Sequence, residues 1–141
     1  MPARVICAEV TSAPIDTAAL EQATECAAAG AVVTFRGIVR NHDDARAVTA
    51  LDYSAHPSAT EVVKDVATDI ADRFDVHALA VVHRVGALQI GDAALVAVVA
   101  ASHRGEAWAC IAALVDEIKD RLPVWKLQKF TDGSEEWSNC P

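Results

Sequence analysis

Positive charge is scarce in this sequence: 12 lysines and arginines stand against 20 aspartates and glutamates, for a formal net charge of −8. Binding a phosphate backbone or an anionic membrane needs the opposite balance, which argues against general affinity for DNA, RNA or acidic lipid. An anionic ligand would have to be met by a local cluster of cations. Cysteines are few and scattered. Cys7, Cys26, Cys110 and Cys140 form no CxxC pair, so neither a zinc site nor a dithiol redox motif is indicated, and they read as reduced thiols. Polar residues interrupt every hydrophobic stretch well short of the roughly 20 residues that span a bilayer. The N-terminal MPARVICAEV has no charged region followed by a sustained apolar run. A soluble, cytoplasmic protein is expected. No GxGxxG or GxxxxGK[ST] occurs, which leaves the nucleotide-binding folds without support. No internal repeat, linker or polar low-complexity tract is visible.

What is present is globular composition. The chain is 52% hydrophobic, rich in Ala and Val, and its 141 residues suffice for one domain, 1–141, with a conventional core. Ala3 to Val10 reads as a strand, and Asp16 offers an N-cap to an Ala-rich helix through about Ala29, with Gly30 as its stop. AVVTFRGIVR (Ala31 to Arg40) is a β-branched buried strand closed by turn residues Asn41 to Asp44, and a second strand follows from about Val48 to Ala55. Ser58-Ala59-Thr60-Glu61 has the form of a capping box. Behind it Val62, Val66, Ile70 and Phe74, with Val63 and Ala67, make one apolar helical stripe. Leu79 to Arg84 and Ala94 to Ala101 are strands, with a short one at Leu88 to Ile90 and a turn at Gly91-Asp92. A third helix carries Ala107 to Leu122 at helical spacing until Pro123 ends it. Lys126 to Phe130 and Glu135 to Trp137 form a terminal hairpin. This order predicts an α+β fold with about three helices on a mainly antiparallel sheet.

The scarce cations fall at element ends. Lys119 and Lys126 bracket Pro123, one in the last turn of a helix and the other just inside the next strand. On a helical wheel Lys119 sits on the shoulder of the apolar stripe, from where it could reach a pocket at the helix edge. Lys119 could equally serve the helix C-terminal dipole, with Lys126 simply solvated. In a pocket, a lysine near other cations and partly desolvated has a lowered pKa and can act as a nucleophile. His103-Arg104 open the third helix, where free backbone amides favour an anion such as phosphate, or else they form an ordinary solvated first turn. Arg40 ends a buried strand and offers a planar fork to a carboxylate or phosphate, or an ion pair to one of the acidic residues. His83-Arg84 reads as structural, and Trp125 and Trp137 as hairpin packing.

With these residues in view, the chain resembles the large, catalytic subunits of molybdopterin synthase, the MoaE family, from about Ala3 through Trp137. The resemblance rests on five segments in order: GAVVTFRGIVRNHD (Gly30 to Asp43), HPSATE (His56 to Glu61), VVHRVGALQIGD (Val81 to Asp92), ASHRGEAW (Ala101 to Trp108) and KDRLPVWK (Lys119 to Lys126). It implies an α/β-hammerhead type of α+β fold, a homodimer, and a small ubiquitin-like (MoaD-like) sulfur-carrier subunit on each large subunit, giving a heterotetramer. The carrier's Gly-Gly tail would end in a thiocarboxylate, and two such sulfurs would pass to cyclic pyranopterin monophosphate to make the molybdopterin dithiolene. No metal or cofactor of the enzyme's own is implied.

By motif, Lys119 and Lys126 match two lysines lining the tail pocket, and Arg40 matches the arginine after the buried strand. His103 and Arg104 match a pair contributed across the dimer interface. The expected roles are Lys119 and Lys126 in sulfur transfer, with Arg40, His103, Arg104 and Lys126 binding substrate. Two departures stand out: Gln128 lies where some relatives carry an acidic residue, and many relatives continue beyond the position of Pro141 with further basic residues, for which Arg46 or Lys129 is a candidate substitute. The competing reading is a non-catalytic adaptor that grips the tail of a ubiquitin-like protein with the same cations.

Overall fold

The computed structural model describes residues 3–138, so Cys140 lies outside the described residues. The elements run β1 (Arg4–Thr11), α1 (Thr17–Thr24), β2 (Ala31–Ile38), β3 (His42–Asp43), β4 (Arg46–Ala55), α2 (Ala59–Arg73), β5 (Ala78–Arg84), β6 (Gly86–Gln89), β7 (Ala93–Ala101), α3 (Arg104–Arg121), β8 (Val124–Phe130) and β9 (Glu135–Ser138). This is the expected α+β order, with β3 added. Among the described residues, three helices accompany two sheets. One sheet has the order β1-β5-β7-β2, in which only β1 and β5 run parallel. The other has the order β3-β4-β8-β9, with β6 on the free side of β4.

The first sheet explains the Val and Ala runs. β5 and β7 are its inner strands and are buried on both faces, so they read as continuous apolar sequence rather than alternating. Helix α2 presents Val63, Val66, Ala67 and Ile70, and α3 presents Ala107, Cys110, Leu114 and Ile118; all eight side chains are fully buried. Ion pairs join the two helices on the outside: Arg121 meets Asp69 at 3.0 Å and Glu117 at 3.2 Å, and Arg73 also contacts Glu117. Such exposed pairs contribute little stability, about 0–1 kcal/mol each. They do fix the last turn of α3, which carries Lys119.

Four local expectations are corrected. Helix α1 does begin on Asp16, whose carboxylate accepts from the Ala19 amide at 3.1 Å, but it ends at Thr24 rather than near Ala29. Thr24 turns its hydroxyl back on the Leu20 carbonyl at 2.7 Å, and Glu25 is extended, so the Ala run that follows is a turn. The capping box does not form. Ser58 has helical backbone and no side-chain cap; its hydroxyl lies 2.8 Å from Nδ1 of His56 instead. Asn41 to Asp44 is more than a turn, since His42 and Asp43 pair with Ala47 and Arg46 across a tight bend. Asp44 and Ala45 fill that bend with φ of 48° and 64°, the left-handed conformation of a two-residue hairpin turn. Finally, Trp125 and Trp137 are not packed inside; they are 36% and 61% exposed on the terminal hairpin. No helix is long and apolar enough to cross a membrane among the described residues.

Candidate functional site

The two sheets meet around a cavity of about 230 Å³. Register determines most of its wall. In the β4–β8 ladder Tyr53 stands opposite Lys126 and Leu51 opposite Gln128, so two inward residues of each strand share one face. The end of β2 and the chain beyond it contribute Gly37 to Arg40, the β3 hairpin adds His42 and Asp43, and β7 contributes Ala94 and Leu95. His83 comes from the end of β5 and Lys119 from the end of α3.

Arg40 and the Lys119–Lys126 pair, far from it in sequence, therefore line one cavity. Arg40 is held there by its neighbour. Val39 donates its amide to the Asp92 carbonyl at 2.9 Å and accepts from Gly91 at 2.8 Å, which clamps the strand end to the β6–β7 turn. Gly91 has φ +92°, a conformation that favours glycine. The Asp92 carboxylate is in turn met by Arg84 at 3.3 Å. The Arg40 guanidinium itself is 67% exposed and makes a long, 3.4 Å ion pair with Asp43. So loose a pair can be exchanged for a ligand anion at small cost.

The inner wall is neutral. His83 is fully buried, its ring meets Tyr53 edge-on at 5.0 Å, and its Nδ1 lies 2.8 Å from the Arg84 carbonyl. Burial pushes its pKa down to about 4; the bond to the Arg84 carbonyl works against that shift, and the charge of Lys119 adds to it. The imidazole is uncharged at neutral pH. Gln128, also buried, supplies an amide and no carboxylate, so position 128 offers no general base.

His103 and Arg104 are elsewhere. They are exposed at the start of α3, and Arg104 is 15 residues from Lys119 on one continuous helix. At 1.5 Å per residue that separation is about 22 Å. One chain does not bring them to the cavity. Ser102, just before them, lies 2.8 Å from Nε2 of His77. Arg46 and Lys129 do not line the cavity either: Arg46 is taken up by Glu136, Ser134 and the face of Phe130, and Lys129 is on the outer face of β8. Sequence reasoning passed over Tyr53 and gave His83 only a structural part. The one available signal was strand alternation, which sets Tyr53 on the same face as buried Leu51. No group of three His, Cys, Asp or Glu side chains is placed to hold a metal among the described residues.

Residues 10–121 match the family model described as MoaE protein. The molybdopterin synthase catalytic subunit of Neosartorya fischeri is 39% identical over 122 residues, which cover 86% of this chain and 64% of that protein. The chain thus spans just under two thirds of that fungal relative. The protein of the same name from Bacillus subtilis is 33% identical over 92% of this chain and 82% of its own length. Among solved structures, molybdopterin synthase from Staphylococcus aureus superposes with a TM-score of 0.86 at 30% identity, covering 93% of this chain and 96% of that one. The order of elements, the cavity at the junction of the sheets and these likenesses agree: the chain belongs to the MoaE family.

Proposed function

We propose that this chain is the catalytic subunit of a molybdopterin synthase. It would transfer sulfur from the C-terminal thiocarboxylate of a small ubiquitin-like carrier subunit to cyclic pyranopterin monophosphate. The observation that carries the reading is the convergence of Arg40, Lys119 and Lys126 on one cavity in a protein of net charge −8. A cavity of about 230 Å³ is smaller than the roughly 300–1,000 Å³ of pockets that enclose drug-sized ligands. It suits a narrow, extended Gly-Gly tail better than a fused-ring pyranopterin with its phosphate. The tail's terminal anion finds charge-assisted donors there, which are stronger than neutral ones.

The substrate then needs a second surface, and His103 and Arg104 at the start of α3 are suited to its phosphate. Because they lie far from Lys119 in one chain, the complete site takes these residues from a second copy. In the mechanism we propose, the thiocarboxylate sulfur attacks an electrophilic pterin carbon, and a C–S bond forms as an oxygen substituent leaves that carbon. The resulting thioester is then cleaved at its acyl C–S bond by water or by the Lys119 amine, leaving sulfur on the pterin and a carboxylate or an amide on the tail. Lys119 assists that attack and stabilises or transiently captures the acyl group left on the tail, while Lys126 and Arg40 hold the tail and the substrate. Reconstitution with thiocarboxylated carrier and pterin precursor tests the reading: dithiolene product supports it. Tight carrier association without product would indicate an adaptor instead.

A further inference from the structure

Arg84 reaches Asp92, whereas His83 lies in the cavity wall. The Arg84 carbonyl can only accept a hydrogen bond, so Nδ1 of His83 carries the hydrogen and Nε2 presents a lone pair. Nε2 is buried and has no hydrogen-bond partner among the described residues. An unpaired buried acceptor costs about 1–3 kcal/mol, and native interiors keep few of them. Lys119 lines the same cavity and is near enough for its charge to act on this ring. Its flexible stem leaves the last turn of α3.

We propose that His83 is a positioning residue for Lys119: its Nε2 accepts an N–H of the Lys119 amine once the cavity is occupied, and so aims that amine at the acyl carbon of the bound tail. This rests on the cavity being the tail pocket. A buried imidazole suits the task in two respects. It is neutral, so it adds no charge beside Arg40, Lys119 and Lys126. It is also too weak a base to keep a proton taken from an amine, which makes its part orientation rather than general base catalysis. The edge-on ring of Tyr53 holds its plane.

Two substitutions separate the two ring nitrogens. His83→Asn can keep the bond to the Arg84 carbonyl while leaving nothing at the Nε2 position; His83→Gln brings an amide oxygen close to that position. In the complex with carrier, the Asn variant is expected to bind carrier within about threefold of wild type and to lose roughly 10- to 100-fold in kcat, the scale of a misplaced reacting group. The Gln variant recovers most of that loss. An Asn variant with wild-type kcat, or a Gln variant as slow as Asn, overturns the proposal. Should a variant fail to fold, the unmodified protein decides. Adding carrier should move the 15N resonance of His83 Nε2 upfield, and should not do so in Lys119→Ala. Bound carrier with an unmoved wild-type resonance overturns this proposal alone; carrier that does not bind overturns the cavity reading together with it.

Discussion

Lys119 and Arg104 stand at opposite ends of one helix, about 22 Å apart along its axis, so a single chain offers Lys119 to the cavity and leaves Arg104 outside it. A site that uses both takes them from two copies related by symmetry, and it can be divided between two defective chains. Lys119→Ala and Arg104→Ala should each be nearly inactive alone. Mixed and allowed to exchange subunits, they should recover about a quarter of wild-type product formation, because half of randomly paired dimers hold one intact site of two. Activity no higher than the sum of the separate variants would place both residues' function within one chain, or Arg104 outside the reaction.

Lys126 faces the cavity from β8, directly across from Tyr53. If the cavity takes the carrier tail as proposed, reversing this charge sets a carboxylate against the tail anion. Carrier affinity of Lys126→Glu should fall by more than about tenfold, or roughly 1.4 kcal/mol, in a calorimetric titration. Unchanged affinity would return Lys126 to the solvated surface.

His83 also gives stability a pH dependence of known sign. Its folded pKa, about 4, is below the ordinary histidine value of 6.5, so between these values the unfolded chain binds the proton and the folded one does not. Stability is undiminished above pH 6.5, declines as pH falls toward 4, and by then has lost about 3 kcal/mol, at 1.36 kcal/mol per unit. Urea unfolding across that range should show this decline, and His83→Gln should flatten it. A wild-type stability independent of pH there would mean that His83 is not buried in the neutral form.

The bend at Asp44-Ala45 holds two non-glycine residues at positive φ, next in sequence to His42 and Asp43 of the cavity wall. Left-handed backbone costs about 1–2 kcal/mol at an ordinary residue, against the roughly 0.5–1 kcal/mol of extra chain entropy that glycine brings. Ala45→Gly should therefore raise stability by up to about 1 kcal/mol in chemical denaturation. A loss would show that the strain is absent.

Most of the fold was legible because its signals are local. The stripe from Val62 to Phe74, the Val and Ala runs of β5 and β7, and Pro123 after α3 each declare an element without reference to the rest of the chain. The errors arose where one local hydrogen bond displaced another: the hydroxyl of Ser58 is taken by His56, two residues before it, and that of Thr24 by the Leu20 carbonyl, one helical turn back. The cations of the cavity could be found at element ends, but their meeting could not, since it depends on how β2, α3 and β8 converge. His83 was hidden for a related reason. Buried histidine on an apolar strand reads as packing, and only the cavity beside it and the vacant Nε2 distinguish it.

Lys119 bears the central claim. General acid or base assistance is typically worth roughly 10²- to 10⁴-fold. The direct measurement is therefore dithiolene formation by Lys119→Ala, reconstituted with thiocarboxylated carrier and pterin precursor, alongside carrier affinity measured on the same sample. The expected result is a fall of at least about 10²-fold in product formation with carrier still bound. Near-normal turnover would contradict it and remove Lys119 from the mechanism.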